Sequence, residues 1–170
     1  IEPNLSHVVA TTRGPLLIVQ TGNASLGFDN TIYGLVDGKV ETIFSDHVST
    51  YSLFFFNQYL LTTYVPNSQE YYTGIKEATI TLLEFKDGKY NAIDSAKVPL
   101  TLSMNTNSDA EDNSPSFNSG SVENQLAIKN CKDTMLQKYD FSDFWFASVY
   151  DLEHKYCLEN PPFGQTEYIH

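Results

Sequence analysis

Residues 31–44 read TIYGLVDGKVETIF, and residues 78–93 read ATITLLEFKDGKYNAI. In both, two β-favouring runs flank an Asp-Gly pair, Asp37-Gly38 and Asp87-Gly88. A two-residue hairpin turn of type I′ needs φ > 0 at both central positions, and Asp-Gly accepts it, so each stretch predicts a β-hairpin. The turn also sets a register. In the first hairpin it puts Leu35 opposite Val40, Tyr33 opposite Thr42 and Thr31 opposite Phe44. Those six share one face, and Ile32, Gly34, Val36 and Ile43 share the other.

Working outward, Leu16–Val19 is a continuous apolar run after Gly14-Pro15, which predicts a buried strand. Ile1–Thr12 reads as an entry segment with an extended patch at Val8-Val9, and Thr21–Asn30 as a polar loop. Tyr51–Phe56 and Tyr59–Val65 are two more β-rich runs joined by Asn57-Gln58, where Asn tolerates the left-handed conformation. Pro66 stops the second run and opens a loop from Asn67 to Gly74. Lys97–Leu102 adds a strand at an edge, because Pro99 has no N–H for a central ladder.

The two Asp-Gly-Lys turns stand 50 positions apart. Ile32-Tyr33 matches Leu82-Leu83, Val40 matches Tyr90, and Ile43 matches Ile93. The expected fold is therefore mainly β (α+β), a duplicated antiparallel four-stranded meander over Leu16–Phe56 and Tyr59–Leu102. It is propeller-blade-like or a sandwich. Ser103–Ser121 is poor in apolar residues and reads as a surface loop or linker. Beyond it, Val122, Leu126, Cys131, Met135 and Tyr139 predict one helix face, with Ser121 as N-cap. Phe141, Trp145, Val149, Leu152 and Tyr156 predict a second helix, in competition with a strand at Phe144–Phe146. The organisation expected is a β-rich region over 1–102, a linker over 103–121, and a helical hairpin over 122–170 packed on the β region.

The chain carries 10 basic residues against 21 acidic ones, a net charge of −11, and Arg13 is its one arginine. No basic stripe is present, which excludes nucleic acid as a partner and argues against anionic membrane surfaces. No run of 18 apolar residues predicts a membrane-spanning segment. Cys131 and Cys157 are expected to pair, closing a loop worth about 3–4 kcal/mol before strain. With that pair, and Ile1 in place of an initiating Met, the expected compartment is extracytoplasmic. The sequons at Asn4 and Asn23 decide nothing in a chain this rich in Asn and Ser.

No catalytic motif stands out. A G-x-S-x-G elbow and a Gly-rich phosphate loop are both missing. His154 and Cys157, with Cys131, have ligand-like spacing but lack the paired pattern of a zinc site. Asp109, Glu111 and Asp112 lack the glycine and terminal glutamate of a calcium loop. Neither is taken as a metal site, and no cofactor is expected. His47, beside Asp46 in a loop after a strand, sits where catalytic residues often do, although an exposed loop histidine is the commoner case. Aromatic residues make up 14% of the chain. Tyr71 and Tyr72, in a predicted loop with polar neighbours, are the candidate binding residues, because exposed tyrosines suit sugar stacking or protein interfaces. The expectation is a non-catalytic binding or structural domain of a bacterial surface protein or lipoprotein, with a protein or glycan as its cell-surface partner. The alternative is a hydrolase with Asp, Glu and His in a cleft.

Overall fold

The computed structural model describes residues 5–23, 27–48, 52–104, 115–141 and 146–153. Four strands, β1 (Leu5–Thr11), β2 (Gly14–Asn23), β3 (Gly27–Val36) and β4 (Lys39–Asp46), form an antiparallel meander, sheet A. A second meander, sheet B, is built from β5 (Leu53–Phe56), β6 (Tyr59–Tyr64), β7 (Glu77–Lys86) and β8 (Lys89–Pro99). A short helix, α1 (Ser68–Thr73), lies between β6 and β7. Then come β9 (Leu102–Met104), β10 (Pro115–Phe117), helix α2 (Val122–Lys138) and β11 (Ala147–Ser148). β9 and β10 pair as a two-stranded ribbon, and β11 joins sheet B beside β5. The mainly β fold with two four-stranded meanders is as the sequence reads.

Both Asp-Gly turns form with φ > 0 at each central residue: Asp37 at 50° and Gly38 at 77°, Asp87 at 54° and Gly88 at 81°. Leu35 faces Val40 and Tyr33 faces Thr42, as the turn dictates. A bulge after Ile32 then shifts the register, so Thr31 faces Ser45 and Phe44 faces Ile32. The extra residue corrects the expected face of Phe44, which turns into the core beside Ile43. The unit boundaries also move by one strand. β1 opens sheet A, and the run expected to close the first unit is β5, the first strand of sheet B. Thr21–Asn30 is mostly strand, with Gln20 opposite Asn30 and Thr21 opposite Asp29. Lys97 is no separate start, since β8 runs unbroken from Lys89 to Pro99 along the sheet edge.

The sheets stack face to face. Val9, Leu16, Ile18 and Ile32 of sheet A pack against Leu53, Phe55, Leu60, Leu83 and Tyr90 of sheet B. Each fully buried aliphatic side chain here contributes about 1.5–3 kcal/mol. Gly34 sits under this core, where a Cβ would lie 2.9 Å from Ile43 Cδ1. The guanidinium of Arg13 lies over the Phe85 ring and links the β1–β2 turn to sheet B. The opposite face of sheet B, with Leu61, Ile80, Leu82 and Val98, is covered by Ile128 and Met135 of α2, completing three layers.

Ser121 caps α2 by accepting from the Asn124 N–H at 3.3 Å. The buried stripe is not the expected one. Val122 and Leu126 are exposed, and Asn124, Ile128 and Met135 are buried, with Cys131 half-buried between them. At 3.6 residues per turn, the nine residues from Val122 to Cys131 rotate about half a turn too far to share a face. At the far end, Lys138 Nζ reaches Asp94 Oδ2 on β8 at 2.7 Å, which holds the Asp94 carboxyl below its usual range. After α2, the strand wins over the helix at Ala147-Ser148, which pair with Phe55 and Phe54. Helical backbone follows over 149–153.

Candidate functional site

Adjacent strands bring the first two residues together. Asn30 faces Asp46 across β3 and β4, so the next residues out, Asp29 and His47, meet beyond the ladder. The buried Asn30 side chain donates to the Val48 carbonyl and fixes the chain just after His47. His47 Nδ1 lies 2.8 Å from Asp29 Oδ1, and its Nε2 lies 3.6 Å from Glu70 Oε1. Glu70 belongs to a capping box at the start of α1. Its Oε2 accepts from the Asn67 N–H at 2.8 Å, and Asn67 Oδ1 accepts from the Glu70 N–H at 3.0 Å. Burial, then the hydrogen bond and charge of Glu70, push the Tyr64 phenol up to about 12.

His47, Tyr64 and Glu70 line a cavity of about 210 Å³, together with Thr63, Ser52 and Ser119. The walls come from five places: Phe28 of β3, the β4–β5 connection, the end of β6, the cap of α1 and the segment ahead of α2. Thr63 Oγ1 is buried and has no hydrogen-bond partner among the described residues. Such an oxygen retains the capacity to bond a ligand or a water.

Both ring nitrogens of His47 face carboxylates. Activating a serine needs one of them turned to the hydroxyl. The two carboxylates meet opposite edges of the ring, so they do not surround a single metal position. No cluster of three or more His, Cys, Asp or Glu side chains arranged for a metal occurs among the described residues. A second histidine, His7, is buried on β1. Its Nδ1 is 2.5 Å from Glu153 Oε1, and its Nε2 is buried without a partner among the described residues.

Tyr71 and Tyr72 lie on α1 and not in a loop. Tyr71 is buried, stacked on Phe117 with Lys76 Nζ 3.9 Å from its ring, whereas Tyr72 is 59% exposed. The tyrosine hydroxyl of Tyr72 accepts from the Phe117 N–H at 2.9 Å. The linker reading is corrected at its ends, since Leu102–Met104 and Pro115–Phe117 are paired strands. Cys157, His154, Asp109, Glu111, Asp112 and Asn4 lie outside the described residues, so the bridge from Cys131 does too.

No protein-family model, curated protein or solved structure matches the chain. Of the site residues, His47 is the one the sequence singles out for chemistry. Asn67-x-x-Glu70 is a readable capping-box signature that could have located α1 and Glu70. Asp29 carries no such signal, because only strand pairing brings it to His47.

Proposed function

We propose that this chain is a non-catalytic, extracytoplasmic binding domain of the kind carried by bacterial surface proteins and lipoproteins. It takes one small, neutral, hydroxyl-rich group of a glycan or protein partner into the His47 pocket. The observation that carries the reading is His47 held between two carboxylates, with Nδ1 bonded to Asp29 at 2.8 Å and Nε2 turned to Glu70 at 3.6 Å. Hydroxyls from Ser52, Thr63 and Ser119 and the Glu70 carboxylate offer donors and acceptors to a polyhydroxyl ligand. Tyr72 adds an exposed aromatic ring on α1. The cysteine pair supports the compartment.

The rival is the hydrolase, and its support is His47 beside the carboxylates of Asp29 and Glu70, with His47 and Glu70 lining one cavity. One set of measurements separates the two. The wild type, His47→Ala and Glu70→Gln are applied to a glycan array and to cell-surface extract, and assayed against ester and glycoside substrates. Gln at position 70 keeps the capping box, so α1 survives the change. Binding that weakens by about tenfold or more in both variants, without turnover, is the expected result. Turnover abolished by His47→Ala would replace the binding reading with the hydrolase. Binding unchanged in both variants would remove the pocket from the site.

A further inference from the structure

Among the described residues, sheet A has one face in the core and one in the open. On the open face, Val8, Leu17, Tyr33 and Thr42 face one another in a row across four strands. Leu35 and Val40 form the next cross-strand pair and are 57% and 71% exposed. The parallel row Ser6, Val19, Thr31 and Ser45 is uncharged as well.

Sheet B shows what such a face is built for. Its hairpin repeats that of sheet A in detail at an offset of 50: the bulge after Ile32 recurs after Leu82, and Thr31 opposite Ser45 recurs as Thr81 opposite Ser95. Across all four strands, the row Val8–Leu17–Tyr33–Thr42 corresponds to Phe55–Leu60–Leu83–Ala92. Phe55, Leu60 and Leu83 are buried, and sheet A is what buries them. The face of sheet B that corresponds to the inner face of sheet A, through Leu61 and Leu82, is covered by α2. Among the described residues, the stack therefore has one end closed by a helix and one end open.

We infer that the open face of sheet A is the contact surface of a symmetric dimer, and that its occupant is a second copy of this chain. Continuing the stack head to tail would need the face that α2 covers, so sheet-on-sheet stacking of two copies brings like faces together, about a twofold axis. That contact is isologous and closes on itself. In a chain of net charge −11, two copies meet with least repulsion where acidic groups are missing, and the three cross-strand rows carry none. The three rows take about six residues at about 3.4 Å on each of four strands about 4.8 Å apart, which project to roughly 400 Å². That is about half of the ~800 Å² per partner of a standard stable interface and fits a weak, reversible dimer.

Sedimentation equilibrium of the whole chain across the micromolar range tests this. The wild type is expected to be a dimer. Val40→Lys and Leu35→Lys, both at exposed positions, put a charge into an otherwise uncharged contact and raise the dissociation constant by about tenfold or more. Leu126→Lys, on the exposed side of α2, leaves the dimer intact. Circular dichroism melts confirm that each variant is folded. A wild type that stays monomeric overturns the proposal and leaves the face to a sheet of another polypeptide. A dimer that resists both sheet A variants and is broken by Leu126→Lys overturns it as well.

Discussion

Tyr71 and Phe117 stack face to face, 3.9 Å between ring centroids and 9° from parallel. The pair joins α1 to the β9–β10 ribbon, and the Tyr71 hydroxyl donates to the Leu100 carbonyl at 3.3 Å. Tyr71 is therefore a core residue. Its neighbour Tyr72 holds the Phe117 N–H with its hydroxyl and leaves its ring in solvent. The two positions should separate in urea denaturation. Tyr71→Ala is expected to cost about 3 kcal/mol or more, the usual effect of emptying a buried aromatic site. Tyr72→Ala should cost about 1 kcal/mol, the value of one hydrogen bond. Equal losses at both positions would contradict this division.

What the sequence revealed follows from local chemistry. Asp37-Gly38 and Asp87-Gly88 fix two hairpins because few other residue pairs accept φ > 0 twice in succession. Pro99 marks an edge because it has no N–H. The bulge after Ile32 leaves no such mark. It is held by Ile43 and Phe44 both turning into the core, a tertiary preference that a two-residue alternation hides. Phe117 was concealed by its setting, one aromatic in a polar stretch, with its partner 46 positions away. The site was half legible. His47 stood out by its residue type, but Asp29 reaches it through strand pairing and Glu70 through a helix cap.

Tyr90 gives the fold an alkaline limit. Burial pushes its phenol up to about 12, partly opposed by the nearby Arg13 guanidinium. In the unfolded chain a tyrosine ionises near pH 10. Below pH 10 the group is neutral in both states and its contribution to stability is fully present. Between pH 10 and 12 the unfolded chain loses the proton and the folded one keeps it, so stability falls as pH rises. Across that window the loss is roughly 3 kcal/mol, at about 1.4 kcal/mol per pH unit. Tyr64 is also raised to about 12, but it is more exposed and its effect is screened. Melting temperature against pH should therefore drop above pH 10, and Tyr90→Phe should flatten the drop. A Tyr90→Phe profile that matches the wild type would assign the alkaline limit to another group.

Cys131 is half-buried on α2, beside the core that Ile128 and Met135 form with sheet B. Its bridge to Cys157 is expected to show as a mass two hydrogens lower in non-reducing spectra. Reduction should then lower stability by about 3 kcal/mol, the loop-closure value for a span of this length. Two free thiols in air-exposed protein would remove the bridge and, with it, one support for the extracytoplasmic compartment.

Asn124 holds the start of α2 to the chain leaving sheet B, and it does so with every polar atom of its side chain. It is 1% exposed. Its Oδ1 accepts from the Thr101 N–H at 2.9 Å and from the Thr101 hydroxyl at 3.3 Å. Its Nδ2 donates to the carbonyls of Thr101 at 3.0 Å and Asn118 at 3.1 Å. Asn124→Ala takes the partners from these half-buried backbone groups and empties a buried site, at about 1–2 kcal/mol. Asn124→Asp keeps the shape but puts a carboxylate oxygen against two carbonyl oxygens, adding charge burial to the lost donors, so it should be the worse variant at neutral pH. Protonation restores one donor. Burial and the facing carbonyls raise the introduced carboxyl above its unfolded value in the folded state. Stability should then recover as pH falls through the folded value, with the recovery complete below the unfolded one. Urea titrations of the alanine and aspartate variants at neutral and acidic pH test the assignment. An aspartate variant as stable as wild type at neutral pH would mean that Asn124 does not donate both bonds.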